Sequence, residues 1–320
     1  MKTIKTQSEL DALPLDYEGE IYITGNIETF NHKFTYAVVY VKDNAVIENH
    51  NGGWINWVFD NAVIEKHNGG YIHWVSDNAV IQNHNGGYIT RVSGKSVIQN
   101  HNGGWIDWVC ENAVIENHNG GYITRVSGKS VIENNNGGGI IDVYGSAVIE
   151  NHNGGTVYDV RDNAVINTTG GIIYHKANRK NIKINNNGGT VIAIPPCNNT
   201  FEWFKNSFPI ETKGEYATLY KAVRKRDGKY YSHHDENFEY IIGEEKTNEV
   251  DTDVNNVCSF GIHLSHKHWT IMFGFECELS DLAILELNVL IKDIIVPTDC
   301  DGTVRTSKAF VVREVPQSEW

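Results

Sequence analysis

No stretch of the chain approaches the run of about 18 apolar residues that a membrane-crossing helix requires, which excludes such a helix. The start, Met1-Lys2-Thr3-Ile4-Lys5, runs on into polar residues without an apolar core, so no secretory signal is readable. A disulfide framework is missing as well. The five cysteines, Cys110, Cys197, Cys258, Cys277 and Cys300, are odd in number and widely scattered, which suits free thiols in a reducing compartment. A soluble, cytoplasmic protein is therefore expected. The chain also lacks a Walker loop, a dinucleotide fingerprint and a nucleophile elbow, and no cofactor is expected.

Basic residues are in deficit. Forty Asp plus Glu against 27 Lys plus Arg leave a net charge of −13, which disfavours a nucleic-acid backbone as the main partner. The excess is unevenly placed: six acids and four bases in residues 1–42, 13 and ten in 43–194, and hence 21 and 13 in the remainder. The middle of the chain is nearly neutral.

What is abundant is repetition. Units begin at Asp43, Asp60, Asp77, Gly94, Glu111, Gly128, Gly145 and Asp162, seven consecutive steps of 17, and a degenerate ninth begins near Arg179 after a one-residue deletion. The template reads D-N-A-V-I-E-N-H-N-G-G-[WY]-I-x-x-V-x. Two short β-rich runs alternate with Asn-Gly-Gly and with Asp-Asn or Gly-Lys turns, so each unit supplies two strands. A helical repeat would not tolerate Asn-Gly-Gly in every unit. The predicted fold is mainly β: a parallel β-solenoid (β-helix) of about nine 17-residue coils, each rising about 4.8 Å, followed by a small α+β domain. Boundaries are expected at 1–42 for an N-terminal cap and irregular coil, 43–194 for the solenoid, and 195–320 for the C-terminal domain with its capping helix. Ser8 followed by Asp11 reads as a capping box opening a small helix over Leu10 to Leu15. Pro195-Pro196 stops the last strand, and Thr200-Phe201-Glu202-Trp203-Phe204 reads as a short aromatic helix.

In such a stack each template position becomes a column. Burying Glu48, Glu65, Glu116, Glu133 and Glu150 would cost several kcal/mol each, so Ala45, Ile47 and Asn49 are assigned inward. In the second strand Ile55 and Val58 barely change between units, whereas the two residues between them vary. A corner with both of those outside is predicted. The histidines His50, His67, His84, His101, His118 and His152 read as a solvent-exposed turn copied by duplication, against the alternative of a metal or pH-responsive array.

Two outward columns on the second strand are the candidate binding surface. One runs Trp54, Tyr71, Tyr88, Trp105, Tyr122 and the other Trp57, Trp74, Arg91, Trp108, Arg125; the arginines are placed to lie over neighbouring indoles. Both stop after the fifth coil, at Gly139 and Asp142, which reads as a wall that binds a partner, against the alternative of a ladder that only stabilises the rod. A third column, Val46, Val63, Val80, Val97, Val114, Val131, Val148 and Val165, is a candidate homodimer stripe. Mimicry of nucleic acid by the outward glutamates is weakened by Gln82 and Gln99 and by nearby Arg91, Lys95, Arg125 and Lys129.

Beyond Thr212 the repeats end. Thr218-Leu219-Tyr220-Lys221-Ala222-Val223, Phe238-Glu239-Tyr240-Ile241-Ile242-Gly243, Cys258-Ser259-Phe260-Gly261-Ile262-His263-Leu264-Ser265 and Ile291-Lys292-Asp293-Ile294-Ile295-Val296-Pro297 follow. Over 201–315 this series resembles an uncharacterised domain of bacteriophage and prophage proteins that follows β-solenoid or pentapeptide-repeat arrays and carries a C-x-x-G-[IL]-H-F signature. Cys258, Gly261, His263 and Ser265 mark that motif here. The array itself lacks the five-residue pentapeptide pattern. A fainter resemblance is to ADP-ribosyltransferases, whose L-Y-H-G, G-I-Y-F-S and E-Y-V-V-Y motifs would place their functional residues at Lys221, His263 and Ala309. All three differ from that family, so a shared fold would come without transferase activity. Cys258, His263, His266 and His268 fit no common zinc spacing, and no metal is expected. His233-His234-Asp235 would complete such a site or form a plain turn.

The function these features imply is a non-enzymatic, phage-associated interaction or scaffold protein in the bacterial host cytoplasm, acting on a host or phage protein and blocking a bacterial defence protein. The alternatives are a nucleotide-binding or degenerate ADP-ribosyltransferase-like domain on a solenoid spacer, and a nucleic-acid mimic.

Overall fold

Each Ala-Val-Ile and each [WY]-I-x-x-V run forms a strand, and 17 residues return the chain to its starting side, so like strands stack on like. A computed structural model describes residues 1–257, 259–276, 281–298 and 300–319. The chain divides into two units, Met1–Ile194 and Pro195–Trp320.

The first unit is a parallel β-solenoid of about 11 turns, two more than the sequence repeat suggests. One sheet has 12 strands and the other ten. Pairing is in register, with Ile47 opposite Ile64 and Ile55 opposite Ile72. The additional turns come from residues before Asp43. Lys2–Ile4, Glu18–Ile23 and Tyr36–Val41 join the larger sheet, and Asn26–Phe30 joins the smaller one, although none carries the 17-residue template. The small helix is Gln7–Asp11, one turn earlier than predicted. Its N-cap is Thr6, whose hydroxyl accepts from the Glu9 N–H while the Glu9 carboxylate accepts from the Thr6 N–H.

The isoleucine column from Ile47 to Ile166 is fully buried, as are the alanines from Ala45 onward. The outward glutamates are where cost arguments put them. The predicted second-strand corner is also present, with Ile55 and Val58 buried and Asn56 and Trp57 partly exposed between them.

One assignment in the first strand is overturned. Asn49 is partly exposed and His50 is buried; the same inversion holds for His67, His84, His101, His118 and His152. Alternation of facing assumes a straight strand. Here the chain turns a corner between Ile47 and His50, with Glu48 and Asn49 both outside, as in the second strand. The asparagines so displaced form ladders along the outside, Asn100 Nδ2 to Asn83 and Asn117 Nδ2 to Asn100, each 3.3 Å. The one-residue deletion falls at this corner: after Ile166 the register shifts and Thr168 takes the histidine slot.

The turns explain the remaining template letters. Asp43, Asp60, Asp77, Glu111 and Asp162 have φ near +60°, and Gly94, Gly128 and Gly145 occupy the same position. An acidic residue there offsets the left-handed strain by accepting the N–H of its counterpart one coil back, as Asp60 does from Asp43 at 3.1 Å and Glu111 from Gly94 at 3.0 Å.

The second unit is α+β. Its nine-stranded sheet centres on Tyr216–Arg226, paired antiparallel with Leu282–Leu290, which pairs in turn with Lys308–Glu314. Ile262–Ser265 bridges Tyr216–Arg226 and Thr303–Thr306, and the helix Lys267–Glu276 packs on Tyr216–Arg226. Phe201–Ser207 is helical, capped by the Thr200 hydroxyl on the Trp203 N–H at 3.1 Å. Cys110, Cys197 and Cys300 are free thiols. Among the described residues no helix is long and apolar enough to cross a membrane.

Candidate functional site

On the larger solenoid sheet the strands Trp54–Val58, Tyr71–Val75, Tyr88–Val92, Trp105–Val109 and Tyr122–Val126 carry the two aromatic columns side by side. Strand spacing of about 4.8 Å sets the ring spacing. Centroids lie 5.1 Å apart for Trp54 and Tyr71, 5.2 Å for Tyr71 and Tyr88, and 5.1 Å for Trp105 and Tyr122, all stacked. In the second column the Arg91 guanidinium is held between two indoles, 4.8 Å from the Trp74 centroid and 4.7 Å from that of Trp108, with Arg125 5.2 Å from Trp108 on the other side.

The columns are anchored from within. Indole N–H groups donate to hydroxyls two residues on in the next coil: Trp74 to Ser93 at 2.7 Å, Trp105 to Thr124 at 3.0 Å and Trp108 to Ser127 at 2.7 Å. The Tyr71 and Thr90 hydroxyls are 2.5 Å apart. Arg125 donates from one guanidinium nitrogen, Nη2, to both carboxylate oxygens of Asp107, at 2.8 and 2.6 Å. With the Trp74, Trp105 and Trp108 donors engaged internally, what that part of the face turns outward is ring surface and guanidinium charge. Exposure varies along it, since Trp54 is 61% exposed whereas Trp105 is 4% exposed.

Sequence reasoning missed how far the second column runs. Tyr22 stacks on Tyr40 at 4.8 Å, and Tyr40 on Trp57 at 5.2 Å, so the line of rings begins two coils before the first template unit. Tyr40 stands 17 residues before Trp57, so the repeat spacing carried one step back was the signal available for it, whereas Tyr22 lies 18 before Tyr40 and falls outside the period.

The end of the columns has a packing cause. A Cβ on Gly139 would stand 2.6 Å from the Tyr122 ring, so Gly139 is the floor on which that ring lies. At the neighbouring position the column changes sign rather than ending. Asp142 accepts from Arg161, which in turn lies 4.2 Å over Tyr144, and Asp159 accepts from Arg179 at 2.9 Å. Burial raises the Asp142 carboxyl above its ordinary range, and Arg161 opposes that shift.

The valine column from Val46 to Val165 lies half-exposed on the smaller sheet. The histidine column lies inside. His67 and His84 share a contact between Nδ1 atoms at 2.8 Å, His101 and His118 one at 2.9 Å, and successive rings from His50 to His118 stack at 4.7 to 4.9 Å. Burial drives His50 down to about 4 and His118 to about 3. A solvent-exposed turn is thus excluded for these residues.

In the C-terminal unit Gly261 is required by close approach: with φ +143°, a Cβ there would lie 3.0 Å from Val250 and 3.4 Å from Arg305. The Ser265 hydroxyl is 2.6 Å from that of Thr270. Cys258 lies outside the described residues, so the motif is seen only from Ser259 onward. His263 is half-buried, with its Nε2 atom shielded from solvent and without a hydrogen-bond partner. Its carbonyl accepts from Lys221 Nζ at 3.0 Å. Ala309 lies on Lys308–Glu314 opposite Lys246 and does not border the cavity that Lys221 and His263 share. His266 is buried against Phe208, with ring centroids 5.3 Å apart, so it does not converge with His263 on a metal position. Among the described residues no group of three or more His, Cys, Asp and Glu side chains is arranged to hold a metal ion.

No protein-family model matches the chain, and the resemblance of 201–315 to a phage domain finds no support there. No solved structure matches either. A curated protein of Bacillus phage SPbetaL7, named "Gabija anti-defense 2", is 36% identical over 107 residues, which are 32% of this chain and 25% of that protein. The chain thus spans about a quarter of the length of the relative it matches. This likeness links part of the chain to a bacteriophage protein.

Proposed function

We propose that the protein is a phage anti-defence factor that acts by binding a protein, without catalysis, through the aromatic and arginine face of its solenoid. The observation that carries this reading is the 36% identity to a phage protein whose name is "Gabija anti-defense 2". The face itself supports it. Stacked rings and sandwiched guanidinium groups are held rigid before any partner arrives, so little side-chain entropy is lost on docking. Trp, Tyr and Arg are the side chains that most often dominate binding energy at protein interfaces. The partner would be a host defence component inside the bacterial cell.

The test is phage growth on cells carrying the Gabija defence. Expression of the chain should restore plaque formation, and the combined substitution Trp57→Ser, Trp74→Ser and Trp108→Ser should abolish that rescue while far-UV circular dichroism still reports a folded solenoid. Rescue that survives the triple substitution would remove the face from the proposal. No rescue by the unaltered chain would remove the function.

A second copy of the chain is the occupant we assign to the valine column, because Val46 to Val165 make a continuous half-exposed apolar line. Light scattering should give a dimer mass that Val97→Lys with Val114→Lys reduces to a monomer; a monomer at the outset would remove this assignment.

A further inference from the structure

The C-terminal unit contains a cavity of about 550 Å³, within the size range of small-molecule sites. Its position follows from the sheet. Tyr216–Arg226 brings Lys221 to the cavity wall, Ile262–Ser265 brings His263, and the helix Lys267–Glu276 lays Trp269 and Phe273 along one side. None of these residues belongs to the solenoid face, and the inference does not depend on it.

Two features of the lining call for an anion. Lys221 forms no salt bridge among the described residues; its Nζ atom donates to the His263 carbonyl and faces the Tyr240 ring at 5.9 Å. A half-buried ammonium without a carboxylate is costly unless something negative joins it. Burial accordingly lowers Lys221 to about 8. Close by, His263 Nε2 is shielded from solvent and unpartnered. Burial lowers His263 to about 4, and the neighbouring cations Lys221 and Arg305 add to that shift. Asp235 and Asp301 also line the cavity.

The remaining lining calls for a flat ring. Trp269 and Phe273 stack at 5.3 Å with 12° between their planes, presenting a continuous aromatic wall. Phe238 and Tyr240 meet edge to face at 5.3 Å, and Phe260 and Val257 are 55% and 54% exposed among the residues lining the cavity. Exposed apolar side chains at a cavity are the usual surface for an amphipathic ligand.

We propose that this cavity binds a small anion built on a planar heterocycle, of nucleotide size, with Lys221 and His263 Nε2 holding the anionic group and the Trp269–Phe273 wall receiving the ring. Binding is the whole of the proposal. The ligand pairs the ammonium, satisfies the imidazole nitrogen and covers apolar surface at once.

Calorimetry on the full chain with AMP, UMP, adenosine and inorganic phosphate tests it. At least one of the two nucleotides should bind with a Kd below about 1 mM, and adenosine and phosphate should each bind at least about tenfold more weakly. Lys221→Met should weaken the bound nucleotide at least about tenfold, with an unchanged melting temperature. Should Lys221→Met fail to fold, His263→Phe, which keeps the ring and removes Nε2, serves the same purpose. Absence of binding by both nucleotides would overturn the proposal, as would binding indifferent to both substitutions, or adenosine binding as well as AMP.

Discussion

The Nδ1 atoms of His67 and His84 lie 2.8 Å apart in the interior of the solenoid, with both residues at 0% exposure. Two ring nitrogens at that distance can hold one proton between them. One imidazole donates and the other accepts, and a second proton in that contact would turn one ring into an imidazolium and set two N–H groups against each other in a medium that disfavours the charge. Asn135, which interrupts the column, makes the same kind of contact to His152 Nδ1 at 2.8 Å.

Acid should therefore loosen the solenoid. Burial holds His50 at about 4 and His118 at about 3 and lowers His67, His84, His101 and His152, whereas an unfolded histidine titrates near about 6.5. A folded pKa below the unfolded one leaves stability intact above about pH 6.5 and removes it as pH falls toward the folded value, by up to ~1.4 kcal/mol per pH unit per histidine. Urea midpoints should drop steadily from pH 7 to pH 5, and His84→Asn, which copies Asn135, should make the drop shallower. A midpoint independent of pH over that range would contradict the buried column.

Two glycines of the Asn-Gly-Gly turns should respond oppositely to alanine. Gly87 has φ +83°, and a Cβ there would lie 2.6 Å from the Gly70 carbonyl oxygen and 2.9 Å from His67 Nε2. Gly52 has open space around the same atom. Gly87→Ala should cost about 1–3 kcal/mol or more, whereas Gly52→Ala should stay within about 0.5 kcal/mol of the parent. Chemical denaturation of the two variants side by side decides it.

Arg91 should be worth more as a planar cation than as a charge. Its contact with Glu111, at 3.3 Å on an exposed edge, contributes little. Its placement between Trp74 and Trp108 is the larger effect, and Arg91→Lys should destabilise the solenoid by about 1 kcal/mol. The variant's near-ultraviolet circular dichroism should change as the indoles lose their common neighbour.

Arg305 should prove indispensable to the C-terminal unit. It is fully buried and donates to the carbonyls of Asp251, Asp253 and Asn256, so one guanidinium gathers a whole loop. Arg305→Lys cannot reach three divergent acceptors and should cost about 2–4 kcal/mol. Limited proteolysis should then cut near 251–257, a segment left intact in the parent.

The comparison between the residues and the fold turns on distance along the chain. A period of 17 makes each coil the neighbour of the next, so what one unit does the next repeats, and the solenoid and its isoleucine core were readable; Trp105, assigned outward, is 4% exposed because its ring lies packed in the column. Phase was harder to read. His50 and Asn49 exchange sides because the strand bends after Ile47, and no alternation rule contains that bend. Tyr22 was hidden because it stands 18 residues before Tyr40, and Tyr40, though 17 before Trp57, because its strand carries none of the template's turn residues.

The order of letters in the repeat settles the stacking, because hydrogen bonding in register is a local act performed again and again. The cavity between Lys221, Tyr240, His263 and Trp269 is of another kind. These residues stand 6 to 48 positions apart with no period between them, and only antiparallel pairing of non-adjacent strands brings an ammonium without a carboxylate, an unsatisfied imidazole and a stacked aromatic wall to one place.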